Sequence, residues 1–189
     1  MTAQQTHPWH LRLARQAIHA GGLIAYPTEA VFGLGCHPLD PHAVSRLLEL
    51  KNRPMEKGLI LISDSFERLQ PFLLPLPEAR NRLLMESWPG PATWLVPAAP
   101  TTPYWLTGKH ATLAVRVTGH PLAAALCRVA GTPLVSTSAN LSGRPPARTA
   151  LQVRLRCGGN IDLVVHGLTG ALDRPTVIRD ALSGALIRA

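Results

Sequence analysis

Residues 58–62 read GLILI, a run too short for a helix and without a polar side chain. A strand of that kind is covered on both faces, so a chain containing it needs helices on both sides of a sheet. Residues 23–26 (LIAY), 92–96 (ATWLV) and 133–137 (PLVST) are further short strands, and 112–117 (TLAVRV) alternates as a strand does. Helical patterns lie between them. Leu11, Ala14 and Ile18 share a face over 8–20, after Pro8 and before Gly21-Gly22. Asp40-Pro41 is an N-cap and a first-turn proline for a helix carrying Val44, Leu47 and Leu48 and ending near Lys51. Pro121 opens a helix closed by Gly131, and Thr149 caps a last one with Leu151, Val153 and Leu155, ended by Gly158-Gly159. Residues 63–88 read as interrupted helix, 161–165 as another strand, and 176–180 with 185–188 as a terminal hairpin. This alternation predicts one α/β (α+β) domain, with its core over about 8–189 and helices flanking a twisted, mixed β-sheet. Trp88, Trp94 and Trp105 have the surface to stack on bases, but they are assigned to the core.

The 189 residues are 46% hydrophobic and 16% charged, a composition that excludes disorder. No apolar run approaches the ~20 residues a membrane span needs, and the first residues lack a signal peptide's apolar centre, so a cytoplasmic protein is expected. Cys36, Cys127 and Cys157 are odd in number and widely spaced, and they read as buried reduced thiols. A net charge of +8 favours nucleotides, RNA or anionic surfaces. No basic tail accounts for that charge, which leaves a folded basic surface or cavity.

Residues 51–57 (KNRPMEK) hold two of the chain's three lysines, with Arg53 between them. An ammonium is a mobile point charge and a guanidinium a two-oxygen fork, so together they suit a polyphosphate. The plainer reading has Lys51 and Arg53 complementing the negative end of the helix before them, with Lys57 solvated. Two loops gather small, hydroxyl and amide groups after strands: 27–35 (PTEAVFGLG) and 136–143 (STSANLSG). Arg116 breaks an apolar strand pattern and needs either an acidic partner or a ligand carboxylate or phosphate. Gly108-Lys109-His110 does not satisfy the Walker A pattern, and no G-x-G-x-x-G, G-x-S-x-G or H-E-x-x-H spacing occurs. The remaining residues suit alignment of reactants and charge stabilisation without a covalent enzyme intermediate.

PTEAVFGLG, then KNRPMEK, then AVRV with His120-Pro121, then STSANLSG, in that order and over nearly the whole chain, resemble the YrdC-like family. The likeness is to its short, single-domain bacterial form. It implies a sheet curled around a basic cavity and a nucleotidyltransferase that joins L-threonine, bicarbonate and ATP into threonylcarbamoyl-AMP, releasing pyrophosphate. The product serves the modification of the adenosine beside the anticodon in tRNA. By motif position, Lys51 and Arg53 are the catalytic pair and, with Lys57, hold the ATP phosphates. Thr112, Ser138, Asn140 and Arg188 complete the nucleotide side, and Thr28, Arg116, Ser136 and Thr176 surround threonine. Arg116 then takes the carboxylate. Magnesium is expected with ATP, and neither a protein metal site nor an organic cofactor is expected. Weak tRNA or double-stranded RNA binding and downstream threonylcarbamoyl-transfer proteins of the TsaD, TsaB and TsaE type are the implied partners, with no membrane.

Family members often carry Thr, Tyr and Pro where this chain has Ala30, Phe32 and Gly58, and longer forms have His where Ile62 stands. Two other readings fit the same residues: a non-catalytic RNA-binding protein, and a paralogue of the fold with another nucleotide-dependent reaction.

Overall fold

A computed structural model describes residues 8–141, 143–173 and 176–188; Ser142 of the STSANLSG stretch lies outside them. In chain order the elements are α1 (Pro8–His19), β1 (Ile24–Pro27), β2 (Phe32–Gly35), α2 (Pro41–Leu50), β3 (Ile60–Ser63), α3 (Glu78–Ser87), β4 (Ala92–Pro97), α4 (Tyr104–Thr107), β5 (Thr112–Val117), α5 (Pro121–Ala130), β6 (Leu134–Ser138), α6 (Ala150–Cys157), β7 (Leu163–Val164), β8 (Val177–Asp180) and β9 (Leu186–Arg188). The strands form one sheet in the order β7-β1-β2-β6-β3-β5-β4-β8-β9. Pairs β1–β7, β3–β5 and β4–β8 are parallel and the others antiparallel, so the sheet is mixed as expected.

Helix α2 starts where its cap residues direct it. The Asp40 carboxylate accepts the His42 and Ala43 amides, and Pro41 occupies the first turn. Its apolar stripe, Ala43, Val44, Leu47 and Leu48, joins Leu84 of α3, Val153 of α6 and the sheet residues Phe32, Leu34, Leu61, Val115 and Val135 in the larger core. The opposite sheet face is covered by α1 and α5, where Ala14, Ile18, Leu122, Leu126 and Cys127 pack on Ile24, Tyr26, Ile62 and Leu134. GLILI is therefore buried from both sides, Leu61 in one core and Ile62 in the other. No residue of β4, β5 or β8 belongs to the second cluster. Helices α1 and α5 thus give no apolar cover to the β5-β4-β8 side of that face, where the polar side chains of Thr93, Arg116 and Thr176 are buried together.

Four sequence expectations change in detail. Residues 32–35, read as the end of a loop, form strand β2, because Phe32 and Leu34 alternate into the core while Gly33 and Gly35 fall on the other face. The interrupted helix over 63–88 is α-helical only over Glu78–Ser87; Pro71 and Pro77 reduce the segment before it to turns and a short 3₁₀ stretch. Leu151 and Leu155 are 64% and 76% exposed while Val153 is buried, since a spacing of two residues does not share a helix face. The strand expected over 161–165 is only Leu163–Val164. All three cysteines are free and buried, and Trp88 and Trp94 are core, as expected. Trp105 is half-buried and donates to the Pro38 carbonyl. Among the described residues no helix is long and apolar enough to cross a membrane.

Gly35 is where the sheet tolerates no side chain. A Cβ there would lie 2.4 Å from the Val135 carbonyl oxygen and 3.0 Å from the Tyr26 ring. Gly35→Ala is expected to cost about 1–3 kcal/mol or more, because the closest atom is backbone. That corresponds to a Tm several degrees lower in a domain of this size. An unchanged melting curve would contradict this packing.

Candidate active site

The two-residue repeat of the strands places Ser136, Ser138 and Arg116 on one sheet face. Ser136 is in register with Ile60, Ile60 with Ala114, Ile62 with Arg116, and Gly33 with Ser138. Thr112, two repeats before Arg116, lies on the same face but makes no side-chain hydrogen bond among the described residues.

At one end, Lys51, Asn52, Arg53, Lys57, Thr137, Ser138, Asn140 and Gly143 line a cavity of about 160 Å³. Lys51 closes α2 and turns its ammonium away from the helix end. Nζ donates to the Ser138 carbonyl at 2.6 Å, the Asn140 carbonyl at 2.9 Å and Asn140 Oδ1 at 3.0 Å. The Ser138 hydroxyl donates to the same Oδ1 at 2.6 Å. Lys51 is thus committed to shaping the hydroxyl-rich loop, a role the sequence does not reveal, and contact with a phosphate requires exchange of one of these bonds. Arg53 folds over its own turn, with Nε and Nη2 on the Gly58 carbonyl and Nη2 also near the Lys57 carbonyl. That leaves Nη1 for a ligand. Neither side chain serves the helix end, which disposes of the plainer reading for Lys51 and Arg53; Lys57 is exposed, as that reading has it.

Gly58 matters to this turn. Its φ of +62° is open to glycine and closed to proline.

At the other end, Arg116 is 6% exposed and Nη1 donates to Thr176 Oγ1 at 2.8 Å. Its Nη2 lies 3.4 Å from Glu29 Oε2. Sequence reasoning offered Arg116 an acidic partner or a ligand, and the fold supplies the acid while leaving Nε without a hydrogen-bond partner among the described residues. Glu29 received no role from the sequence. It is the one acidic residue in the small-residue loop after a buried strand, which was the available signal. Thr28 caps its own turn, its hydroxyl donating to the Val31 carbonyl at 2.7 Å. A Cβ on Gly33 would lie 3.2 Å from Thr28 Cγ2 and 3.4 Å from Ser136 Oγ, so the missing side chain keeps a hollow open between these two.

Arg188 connects the ends. Its Nη2 donates to the Thr176 carbonyl at 3.2 Å. Burial and then Arg116 lower its pKa, while burial and then Arg188 lower that of Arg53. Burial, followed by Arg53, pulls the Lys51 ammonium down to about 8, against its three oxygen acceptors, which favour the charged form. Lys51, Arg53, Arg188 and Arg116 are therefore a run of mutually repelling cations. Among the described residues, no carboxylate lies within ion-pair distance of Lys51, Arg53, Lys57 or Arg188. Such a run is held by the fold and completed by an anion.

A larger cavity, about 540 Å³, lies between α2 and α6, lined by Arg46, Glu49, Arg156 and Cys157 among others. Its arginines are already paired, Arg46 with Asp162 at 3.0 Å and Arg156 with the Pro145 carbonyl, so no anion is called for there.

The family described as Telomere recombination, comprising Sua5, YciO and YrdC, matches residues 16–189. The chain is 54% identical over 194 residues to a protein of Alkalilimnicola ehrlichii named threonylcarbamoyl-AMP synthase, covering all of both chains. It is 34% identical to P. abyssi Sua5 complexed with L-threonine, with a TM-score of 0.88 over 95% of this chain, and spans 53% of that one. E. coli YciO matches 94% of this chain and 89% of its own at 27% identity, with a TM-score of 0.82. Sequence motifs, sheet and comparisons agree: the chain belongs to the Sua5/YciO/YrdC family.

Proposed function

We propose that the chain is a threonylcarbamoyl-AMP synthase, joining L-threonine, bicarbonate and ATP and releasing pyrophosphate. The observation that carries the reading is the cation run, without counter-ions among the described residues, at one end of the cleft, with a buried Arg116 and a hollow between Thr28 and Ser136 at the other. ATP phosphates seat along Arg53, Lys57 and Arg188, with Lys51 holding the loop of Ser138 and Asn140 against them. Thr112 continues the nucleotide side. Threonine lies at the second end, its carboxylate on Arg116, with the hydroxyls of Thr28, Ser136 and Thr176 around it.

The reaction asks for alignment more than for a protein nucleophile. Threonine's amine adds to carbon dioxide derived from bicarbonate to give a carbamate, and the carbamate oxygen attacks the α-phosphorus as pyrophosphate leaves. Charge grows on the leaving phosphates, and cations fixed beforehand stabilise that growth without reorganising. Magnesium is part of the proposal. Among the described residues no three His, Cys, Asp or Glu side chains converge. Its ligands in this reading are the ATP phosphates and water.

The product's use in tRNA modification, hand-over to downstream threonylcarbamoyl-transfer proteins, and weak, salt-sensitive RNA binding from the +8 charge belong to the same reading. So does a cytoplasmic location, supported by the three buried free thiols.

Purified protein is expected to release pyrophosphate from ATP only when threonine and bicarbonate are both supplied. Release independent of threonine would move the assignment to another nucleotide-dependent reaction of the fold. No release with all three, alongside RNA binding that persists at high salt, would move it to an RNA-binding protein.

A further inference from the structure

The cleft's charge is compensated at one end only. Glu29, 8% exposed, is fixed by two donors to Oε1, the Thr118 hydroxyl at 2.7 Å and the Gly119 amide at 3.1 Å. Its Oε2 then faces Arg116 Nη2 at 3.4 Å and has no hydrogen-bond partner among the described residues. The arrangement is costly in a buried place, since such a pair gives little net stability relative to apolar residues. What it does supply is a local charge near zero around Arg116. The opposite end, by contrast, keeps Lys51, Arg53, Lys57 and Arg188 uncompensated among the described residues.

Arg116 is close enough to Arg188 to lower its pKa, and Arg188 does the same to Arg53. Without Glu29 an uncompensated Arg116 would extend the cationic surface into the amino-acid hollow, and a second polyanion could seat there beside the one at the phosphate end. We propose that Glu29 is a specificity-determining and positioning residue: itself fixed by Thr118 and Gly119, it neutralises Arg116, closes the amino-acid end to polyanions and leaves it for a zwitterion. A free amino acid has no net charge, so a neutral pair does not repel it, while its carboxylate can still use the Arg116 donors that Thr176 and Glu29 leave open. The substrate part of the inference rests on the synthase reading; the charge part does not.

The test is calorimetric titration of inorganic tripolyphosphate and, separately, of L-threonine into the intact chain. Wild type is expected to bind one tripolyphosphate, and 1 equivalent of it should leave threonine affinity unchanged. Glu29→Gln keeps an acceptor for Thr118 and Gly119 but removes the charge. It is expected to take tripolyphosphate at a second site, and threonine affinity should fall by about tenfold or more when tripolyphosphate is present and little in its absence. Glu29→Asp, which restores the charge, should return the single site.

A mirror variant keeps the idea open to refutation if Glu29→Gln does not fold. Asn52 is exposed, lines the cation end and has a φ of 46°, which aspartate tolerates. Asn52→Asp is expected to weaken tripolyphosphate about tenfold and leave threonine alone. A Glu29→Gln protein that still binds one tripolyphosphate, or an Asn52→Asp protein that binds it as wild type does, overturns the proposal. Wild type that binds tripolyphosphate but no threonine sinks the synthase reading instead, and the stoichiometry change in Glu29→Gln then stands or falls by itself.

Discussion

Arg53→Ala is expected to lower kcat for pyrophosphate release by about 10²–10³, or ~3–4 kcal/mol, the usual loss when one preorganised charge stabiliser is removed. The direction follows from where the charge changes. Negative charge accumulates on the departing phosphates during displacement, so a cation fixed beside them binds the transition state more tightly than bound ATP, and its loss appears in kcat. Arg53 suits this because its Nε and Nη2 are held by the Gly58 carbonyl, which fixes the guanidinium plane before ligand arrives. Arg53→Lys should recover only part of the rate, since an ammonium cannot hold the turn and reach a phosphate together. Lys51 behaves differently. Its three donors are committed to the 138–140 loop, so its loss would displace Ser138 and Asn140 along with its charge. A kcat for Arg53→Ala within a few-fold of wild type would remove Arg53 from the reaction.

Arg116 gives the second large effect, and its alanine variant is expected to do two things at once. Breaking a buried pair leaves Glu29 charged and alone, which typically costs about 3–5 kcal/mol. A Tm roughly 6–20 °C lower would follow in a domain of this size. Loss of stability therefore does not by itself make Arg116 structural, and the informative variant is Arg116→Lys. A lysine keeps a positive charge opposite Glu29 but cannot hold Thr176 Oγ1 and a ligand carboxylate with one planar fork. Arg116→Lys is expected to stay folded and to raise the threonine KM roughly 10–100-fold, the range for a hydrogen bond to a charged group, with ATP KM nearly unchanged. The carboxylate's charge is the same in ground and transition states, so kcat at saturating threonine should move little. Equal losses for both substrates would place Arg116 in the scaffold.

The sequence showed the parts of this protein whose physics is local. GLILI announced a two-sided core, Asp40-Pro41 announced α2, and the alternation of 112–117 put Arg116 on a face where an arginine needs an explanation. What stayed hidden depends on residues far apart in the chain. The Glu29–Arg116 pair spans β1's following turn and β5, and the loop carbonyls that take up the Lys51 donors lie 87 and 89 residues from it. Strand β2 was also obscured, because its outward face carries two glycines in place of polar residues. Gly33 and Gly35 are needed there for space beside Thr28, Ser136, Tyr26 and Val135, which only the folded sheet brings together.

The central claim is that one cleft has a phosphate end and an amino-acid end whose recognition is separable. Direct binding, free of turnover, tests it: ATP and L-threonine titrated separately into wild type, Arg53→Ala and Arg116→Lys, with folding of each checked by its melting curve. The account predicts that ATP affinity falls in Arg53→Ala with threonine affinity kept, and that threonine affinity falls in Arg116→Lys with ATP affinity kept. Parallel losses of both ligands in folded samples of the two variants would contradict it.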